Sequence, residues 1–285
     1  MTVSAPGKLM LFGEHAVVYG YPCIVTAISQ RLEVSLSDTD NVPGDRRFVD
    51  AAIQAWGDGK DIKLSAKCAF SGCYGFGSSS AVTVATLKAL RPEAPDRTLF
   101  DTAYKIILEI QGVGSGFDVA SAVFGGTLYY IKNKAIEPLA VKDVPLVVGY
   151  TGIKSNTVDL IKMVAKKREE YPEKLERICK AIGKIVDEAK TRMIEGDWER
   201  VGKLMDFNQE YLRDLGVSSE KLETLIGAAK SAGAYGAKLS GAGGGDCMIA
   251  LASAEKRQSV EEAITKAGGE VVHVTPNAEE VRVEA

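Results

Sequence analysis

Lys8, Glu14 and His15, together with Ser78, Ser79 and Ser80, are the side chains of this sequence placed to do chemistry. Each lies in or beside a glycine-rich segment. In "APGKLMLFGEHAVVYGYP" (5–22) Lys8 begins an apolar strand, where it reads as a solvated strand end or as a cation serving a site. Glu14 and His15 sit in a Gly-bounded turn, and a carboxylate beside an imidazole suits a polar, hydroxylated ligand; a self-satisfied turn pair reads equally well. In "GCYGFGSSSAV" (72–82) Gly72, Gly75 and Gly77 precede three serines and a helix-like apolar run. A Walker A loop would place Lys just before the Ser or Thr, and none stands there. Backbone N–H groups at a glycine turn that feeds a helix N-terminus bind phosphate without a side-chain cation. The serines can cap that helix, or offer hydroxyls to a Mg²⁺ held against phosphate, since Mg²⁺ takes oxygen ligands. "KLSGAGGGDCMIAL" (238–251) places four glycines in five positions after a strand, which lets a ligand or another backbone approach closely. Any one such segment is ordinarily a tight turn. Three in one chain, each with hydroxyl or acidic neighbours, point to a ligand.

The elements that must position these groups follow from hydrophobic periodicity. "KLMLFG", "RLEVSLS" and "DIKLSAKCAF" read as strands, "DTDNVPGD" (38–45) as a loop and "RRFVDAAIQAW" as a short helix. "SAVTVATLKAL" and "RTLFDTAYKIILEI" have helical spacing, and "VASAVFGGTLYYI" passes from helix to strand. Asp118 opens that last helix, where on local sequence alone it reads as an N-cap. "VPLVVGYTG" reads as a buried strand, and 157–231 is almost wholly helical, with apolar faces that suit a core or a homodimer interface. The end is strand, glycine turn, strand, helix ("SAEKRQSVEEAITKAG") and strand ("EVVHVTP"). The shift near residue 150 divides the chain into units 1–150 and 151–285.

Bulk properties narrow the function classes. A length of 285 residues exceeds one ordinary core. Hydrophobic and charged fractions of 46% and 26% are those of a soluble globular protein. A net charge of −3 gives no footprint for nucleic acid. Cys23, Cys68, Cys73, Cys179 and Cys247 form no C-x-x-C, and with only His15 and His273 a Cys/His zinc site lacks support; reduced thiols in a cytoplasmic protein are expected. The apolar stretch 9–28 is interrupted by Glu14, His15 and glycines, unlike a spanning helix or signal segment, so no membrane partner is expected.

In order and spacing, the three segments resemble the three motifs of the GHMP kinase superfamily, which includes galactokinase, homoserine kinase, mevalonate kinase and phosphomevalonate kinase. The resemblance covers essentially the whole chain. "GEHAVV" in the first motif, "VVGYTGIKSNTVDLI", "NQEYLRDLGVSSEKLETLI" and "GAKLSGAGGGDCMIAL" are most similar to mevalonate kinases of the archaeal type. The resemblance implies an α+β fold with an N-terminal ribosomal-protein-S5-like domain, a C-terminal ferredoxin-like domain and an active site in the cleft between them. It implies ATP-dependent phosphorylation of the terminal hydroxyl of mevalonate, with Mg²⁺ as cofactor. By the same resemblance Gly72, Gly75, Phe76, Gly77, Ser78, Ser79 and Ser80 bind the nucleotide, supported by Gly241, Gly243 and Gly244. Ser79 and Glu109 hold the metal, Asp118 and Lys8 are catalytic, and Lys8, Glu14, His15 and Asp118 meet the acceptor.

The chain departs from the mevalonate kinase pattern P-x-G-A-G-L-G-S-S-A: the Pro is absent, Phe76 replaces Leu and Ser80 replaces Ala. "GSGFDV" around Asp118 is more similar to phosphomevalonate kinases. A phosphorylated acceptor is therefore the alternative substrate, with Lys154 as its cation; Lys166, Lys167 and Arg168 read rather as a solvated helix face. A non-catalytic metabolite sensor on the same fold is the reading from another class. Retention of Lys8, Ser79, Glu109 and Asp118 together weighs against it.

Overall fold

The structure is a computed structural model and describes residues 1–59 and 62–284. Two sheets organise it. Strand β1 (Thr2–Phe12) and the long β2 (Cys23–Leu36) pair antiparallel, and β2 holds β3 (Leu64–Cys68) and β4 (Thr127–Ile131) at its two ends. With β5 (Ala135–Pro138) and β10 (Arg282–Glu284) this gives six strands, in the order β10-β1-β2-β4-β5 with β3 beside β2. The second sheet has the order β7-β8-β6-β9, from β6 (Leu146–Tyr150), β7 (Gly236–Ser240), β8 (Cys247–Leu251) and β9 (Glu270–Val271).

Two apolar helices pack on the first sheet and carry two of the chemical segments. α2 (Ser78–Leu90) is buried on nearly every side, including Val82, Val84, Ala85 and Leu87. A helix apolar all round belongs inside the molecule, and here its N-terminus is held at the inner end of the sheet. α4 (Phe117–Phe124) does the same for Asp118. α1 (Arg47–Trp56) and the amphipathic α3 (Asp96–Gln111) cover α2. The helical stretch after residue 156 resolves into α5 (Thr157–Glu170), α6 (Pro172–Glu195), α7 (Trp198–Leu215) and α8 (Glu220–Ser231); α7 and α8 lie on β7, and α9 (Ala254–Lys266) packs on β6 and α8.

The structure differs from the sequence reading at several places. Of the expected strand 61–70, Asp61 lies outside the described residues and Leu64–Cys68 forms β3. β6 pairs with β8, so the second sheet begins at Leu146, ahead of the expected division at 150. The expected strand 270–276 stops after Val271, because the chain then crosses back to the first sheet. There Ser29 N donates to Thr275 O (2.8 Å), Gly126 N to Ala278 O (2.7 Å), and β10 pairs Thr2 with Glu284.

Buried polar contacts join the two sheets. Ser240 on β7 accepts from Met10 N (3.1 Å) and donates to Met10 O (2.9 Å), and Asn208 Oδ1 accepts from Gly13 N (3.3 Å).

Candidate active site

A cleft opens where β1, the N-termini of α2 and α4, and the β7–β8 turn converge. Lys8, His15, Gly72, Gly75, Phe76, Gly77, Ser78, Ser79, Ser80, Asp118, Lys154 and Gly241 all line it.

Lys8 is held from several sides. A break in the β1–β2 register falls between Pro6 and Gly7, and such bulges redirect the side chains that follow. Lys8 N then donates to Phe76 O (3.0 Å), while Nζ donates to Gly75 O (3.0 Å) and lies 3.0 Å from Asp118 Oδ1. The ammonium also sits 5.2 Å from the centre of the Phe117 ring. One cation therefore ties the backbone of the glycine loop before α2 to the carboxylate at the head of α4.

α2 begins after Gly77, whose φ of 80° places it in the left-handed region with no side-chain cap bond. The serines are thus the first helical residues rather than caps. The first backbone bond into this turn is Ala81 N to Gly77 O (3.0 Å). The amides of Ser78, Ser79 and Ser80 precede it and, as first-turn donors, have no intrahelical acceptor. A Cβ on Gly77 would come within 3.2 Å of Lys8 Cγ and Cε, so the loop needs glycine both for its backbone and for the room it leaves Lys8. Free N–H donors at a helix N-terminus, beside side-chain hydroxyls and a lysine, form a set suited to a polyphosphate.

Asp118 is likewise not the cap of its helix: Gly116 holds that place and Asp118 follows in the first turn. His15, at φ 60°, is buried, and its Nε2 lies 2.9 Å from Ala242 O. A carbonyl only accepts, so Nε2 carries the proton and neutral His15 keeps Nδ1 as an acceptor. Burial pushes its pKa down, against the opposing Ala242 bond. The neutral form is therefore favoured.

Several expected residues are not brought to this place. Glu14 is fully buried in an ion pair with Lys238 of β7 and does not line the cleft. Burial raises its pKa, against the pull of Lys238. Consecutive residues of the turn point apart, His15 towards the cleft and Glu14 towards the second sheet. Glu109 is corrected for a similar reason. Ile107 and Gln111 of α3 face the cleft, and a residue two positions from each points about 200° away on a helix. Glu109 is 61% exposed, 3.8 Å from Lys105, and lines a separate shallow hollow with Trp56 and Asp101. Phe76 reaches the cleft only at its edge: its ring is buried against Phe70 (5.7 Å) and Tyr74 (5.3 Å), which explains an aromatic where Leu was expected. Gly243 and Gly244 turn away to pack on Val217 and Leu160, with Gly244 N donating to Val217 O (2.7 Å).

The sequence reading passed over two further residues. Lys238 completes the Glu14 pair, and nothing local marked it. Asp246 lines the cleft and closes the third glycine run, an acid at the end of a ligand loop that could have been singled out. Burial raises its pKa, opposed by the Ser155 N–H and by Lys8 and Lys154. The described residues hold no group of three or more His, Cys, Asp or Glu able to bind a metal alone. A Mg²⁺ here fits only as an ion held largely by phosphate and water oxygens, with Ser79 on the wall beside them.

The chain is similar to known proteins in both halves. The family models for the GHMP kinases N terminal domain and the GHMP kinases C terminal match residues 46–126 and 185–270. The mevalonate kinase of Thermococcus gammatolerans is 38% identical over 99% of this chain and 97% of its own length. That of Pyrococcus horikoshii is 37% identical with the same coverage. The crystal structure of L. major mevalonate kinase in complex with R-mevalonate superposes with a TM-score of 0.82 at 27% identity, covering 98% of this chain and 97% of that one. The Methanococcus jannaschii mevalonate kinase gives 0.83 at 27% identity, covering 97% and 98%. Matched in both halves and similar over nearly its whole length to these enzymes, the chain belongs to the GHMP kinase family.

Proposed function

We propose that the chain is an ATP-dependent kinase that phosphorylates the terminal hydroxyl of mevalonate, with the Lys8–Asp118 pair as its reacting end. The observation that carries the reading is this pair set 3.0 Å apart on the same cleft as the uncapped N-terminus of α2. Phosphoryl transfer asks for in-line positioning and charge neutralisation rather than covalent help.

The residues divide that work. The amides of Ser78, Ser79 and Ser80, with the Gly75–Gly77 backbone, receive the phosphates. Asp118 accepts the proton of the attacking hydroxyl, or orients that hydroxyl. Lys8 stabilises the charge that develops on the acceptor oxygen. His15 Nδ1 accepts from a hydroxyl of the acceptor. Ser79 would hold Mg²⁺, which when bound neutralises phosphate charge.

One observation favours a second reading, a phosphorylated mevalonate as acceptor: Lys154 lines the cleft as an exposed cation. An ADP-release assay with mevalonate and with its 5-phosphate separates the two. Turnover with mevalonate is expected, and turnover with the phosphorylated acceptor alone would overturn the first reading.

A further inference from the structure

Asp246 is an unusual residue to find beside a phosphate loop. It ends the glycine run of the β7–β8 turn in a left-handed conformation (φ 53°), and it is only 8% exposed. Its main chain is fixed: N donates to Ile153 O (2.7 Å), while O accepts from Thr151 N (2.9 Å) and Thr151 Oγ1 (2.9 Å). Its carboxylate is held by one oxygen, Oδ1 accepting from Ser155 N (2.8 Å). The other oxygen, Oδ2, lies against the phosphate loop, where a Cβ placed on Gly75 would come within 2.6 Å of it. Gly75 is also the residue whose carbonyl takes the Lys8 ammonium.

A carboxylate fixed beside a triphosphate repels it. A cation standing between the two charges removes that repulsion, and a hard divalent cation takes carboxylate, hydroxyl and phosphate oxygens together. The same wall offers a second oxygen, because Ser155 Oγ is buried without a hydrogen-bond partner among the described residues and lines the cleft. Glu109, the acid the sequence pointed to, faces solvent on the far side of α3.

We propose that Asp246, through Oδ2, is the acidic protein donor to the divalent cation that accompanies the nucleotide. The inference rests on the kinase reading and deepens it.

The test is metal binding rather than turnover. Asp246→Asn keeps an oxygen for the Ser155 N–H and removes only the charge; Asp246→Gly also relieves the left-handed backbone. ADP is titrated calorimetrically into the full-length wild type and each variant without metal, and Mn²⁺ is then titrated into the ADP complexes by electron paramagnetic resonance. Both variants are expected to bind metal-free ADP at least as tightly as the wild type, with Mn²⁺ affinity of the ADP complex lowered about tenfold or more. Glu109→Gln should match the wild type in both. Unchanged Mn²⁺ affinity in the Asp246 variants, a loss of metal-free ADP binding of the same size, or a loss carried by Glu109→Gln overturns the assignment while leaving the kinase reading intact. A wild type that binds no ADP overturns both.

Discussion

Glu14 and Lys238 form an ion pair with both side chains at 0% exposure, one from the turn after β1 and the other from β7. Burial pulls both pKa values towards the neutral forms, Glu14 up and Lys238 down, and each partner opposes the shift of the other. Removing one member of such a pair strands a charge in the interior, at a cost of about 3–5 kcal/mol. Lys238→Met is therefore expected to lower the melting temperature sharply, and Glu14→Gln/Lys238→Met to recover part of the loss. Calorimetric melting of the three proteins checks this. A single variant that melts with the wild type would remove the pair from the account of how the halves are joined.

Asp118→Asn keeps the shape of the site and removes the proton acceptor. Its kcat is expected to fall by about 10²–10⁴, while ATP binding measured by calorimetry stays near that of the wild type. Turnover that stays high in this variant would leave Asp118 with a structural role only.

Gly77→Ala puts a methyl 3.2 Å from Lys8 and a side chain at φ 80°. The left-handed backbone alone costs about 1–2 kcal/mol. Weaker ATP binding and lower kcat should appear together, because the loop and Lys8 are displaced together. An increase in KM for ATP with kcat untouched would show that Lys8 had not moved.

His15 gives a pH dependence of stability. Its folded pKa lies below the ordinary value of 6.5, so the folded chain binds this proton less readily than the unfolded chain. Stability from this group is therefore complete well above pH 6.5 and is lost as pH falls through that value. The raised carboxyls of Glu14 and Asp246 slope the other way, losing stability as pH rises through their own windows above 4.5 and 3.8. The difference between wild type and His15→Gln isolates the imidazole. Denaturant melts from pH 5 to 8 should show that difference shrinking towards the acid end. A constant difference would mean that His15 takes up its proton equally in both states.

The sequence was most legible where local chemistry and local geometry coincide. Glycines before Ser78 must make a turn into a helix, so the start of α2 could be read to within two residues, and Lys8 and Asp118 could be paired through the resemblance. Glu109 was misplaced because a motif spacing says nothing of helical phase; the neighbours Ile107 and Gln111, read at 3.6 residues per turn, would have put it on the outer face. Glu14 and Lys238 could not be matched at all, since 224 residues separate them and only the packing of two sheets brings them together. β10 was missed for another reason. "RVE" is a charged edge strand with no apolar period, and its pairing with β1 is decided by the chain crossing that precedes it.

That crossing has a consequence for how the protein comes into being. The sheet that carries Lys8 holds both the first and the last of the described strands, with Thr2 beside Glu284 and Val281 N bonded to Ala122 O (3.0 Å). During synthesis, the edge of β1 opposite β2 stays unfilled until Arg282–Glu284 have been made. Domains ordinarily fold in the order in which they emerge. Here β1, the earliest of the described strands, is completed by the latest of them, and its open edge must be kept from pairing with other chains in the meantime.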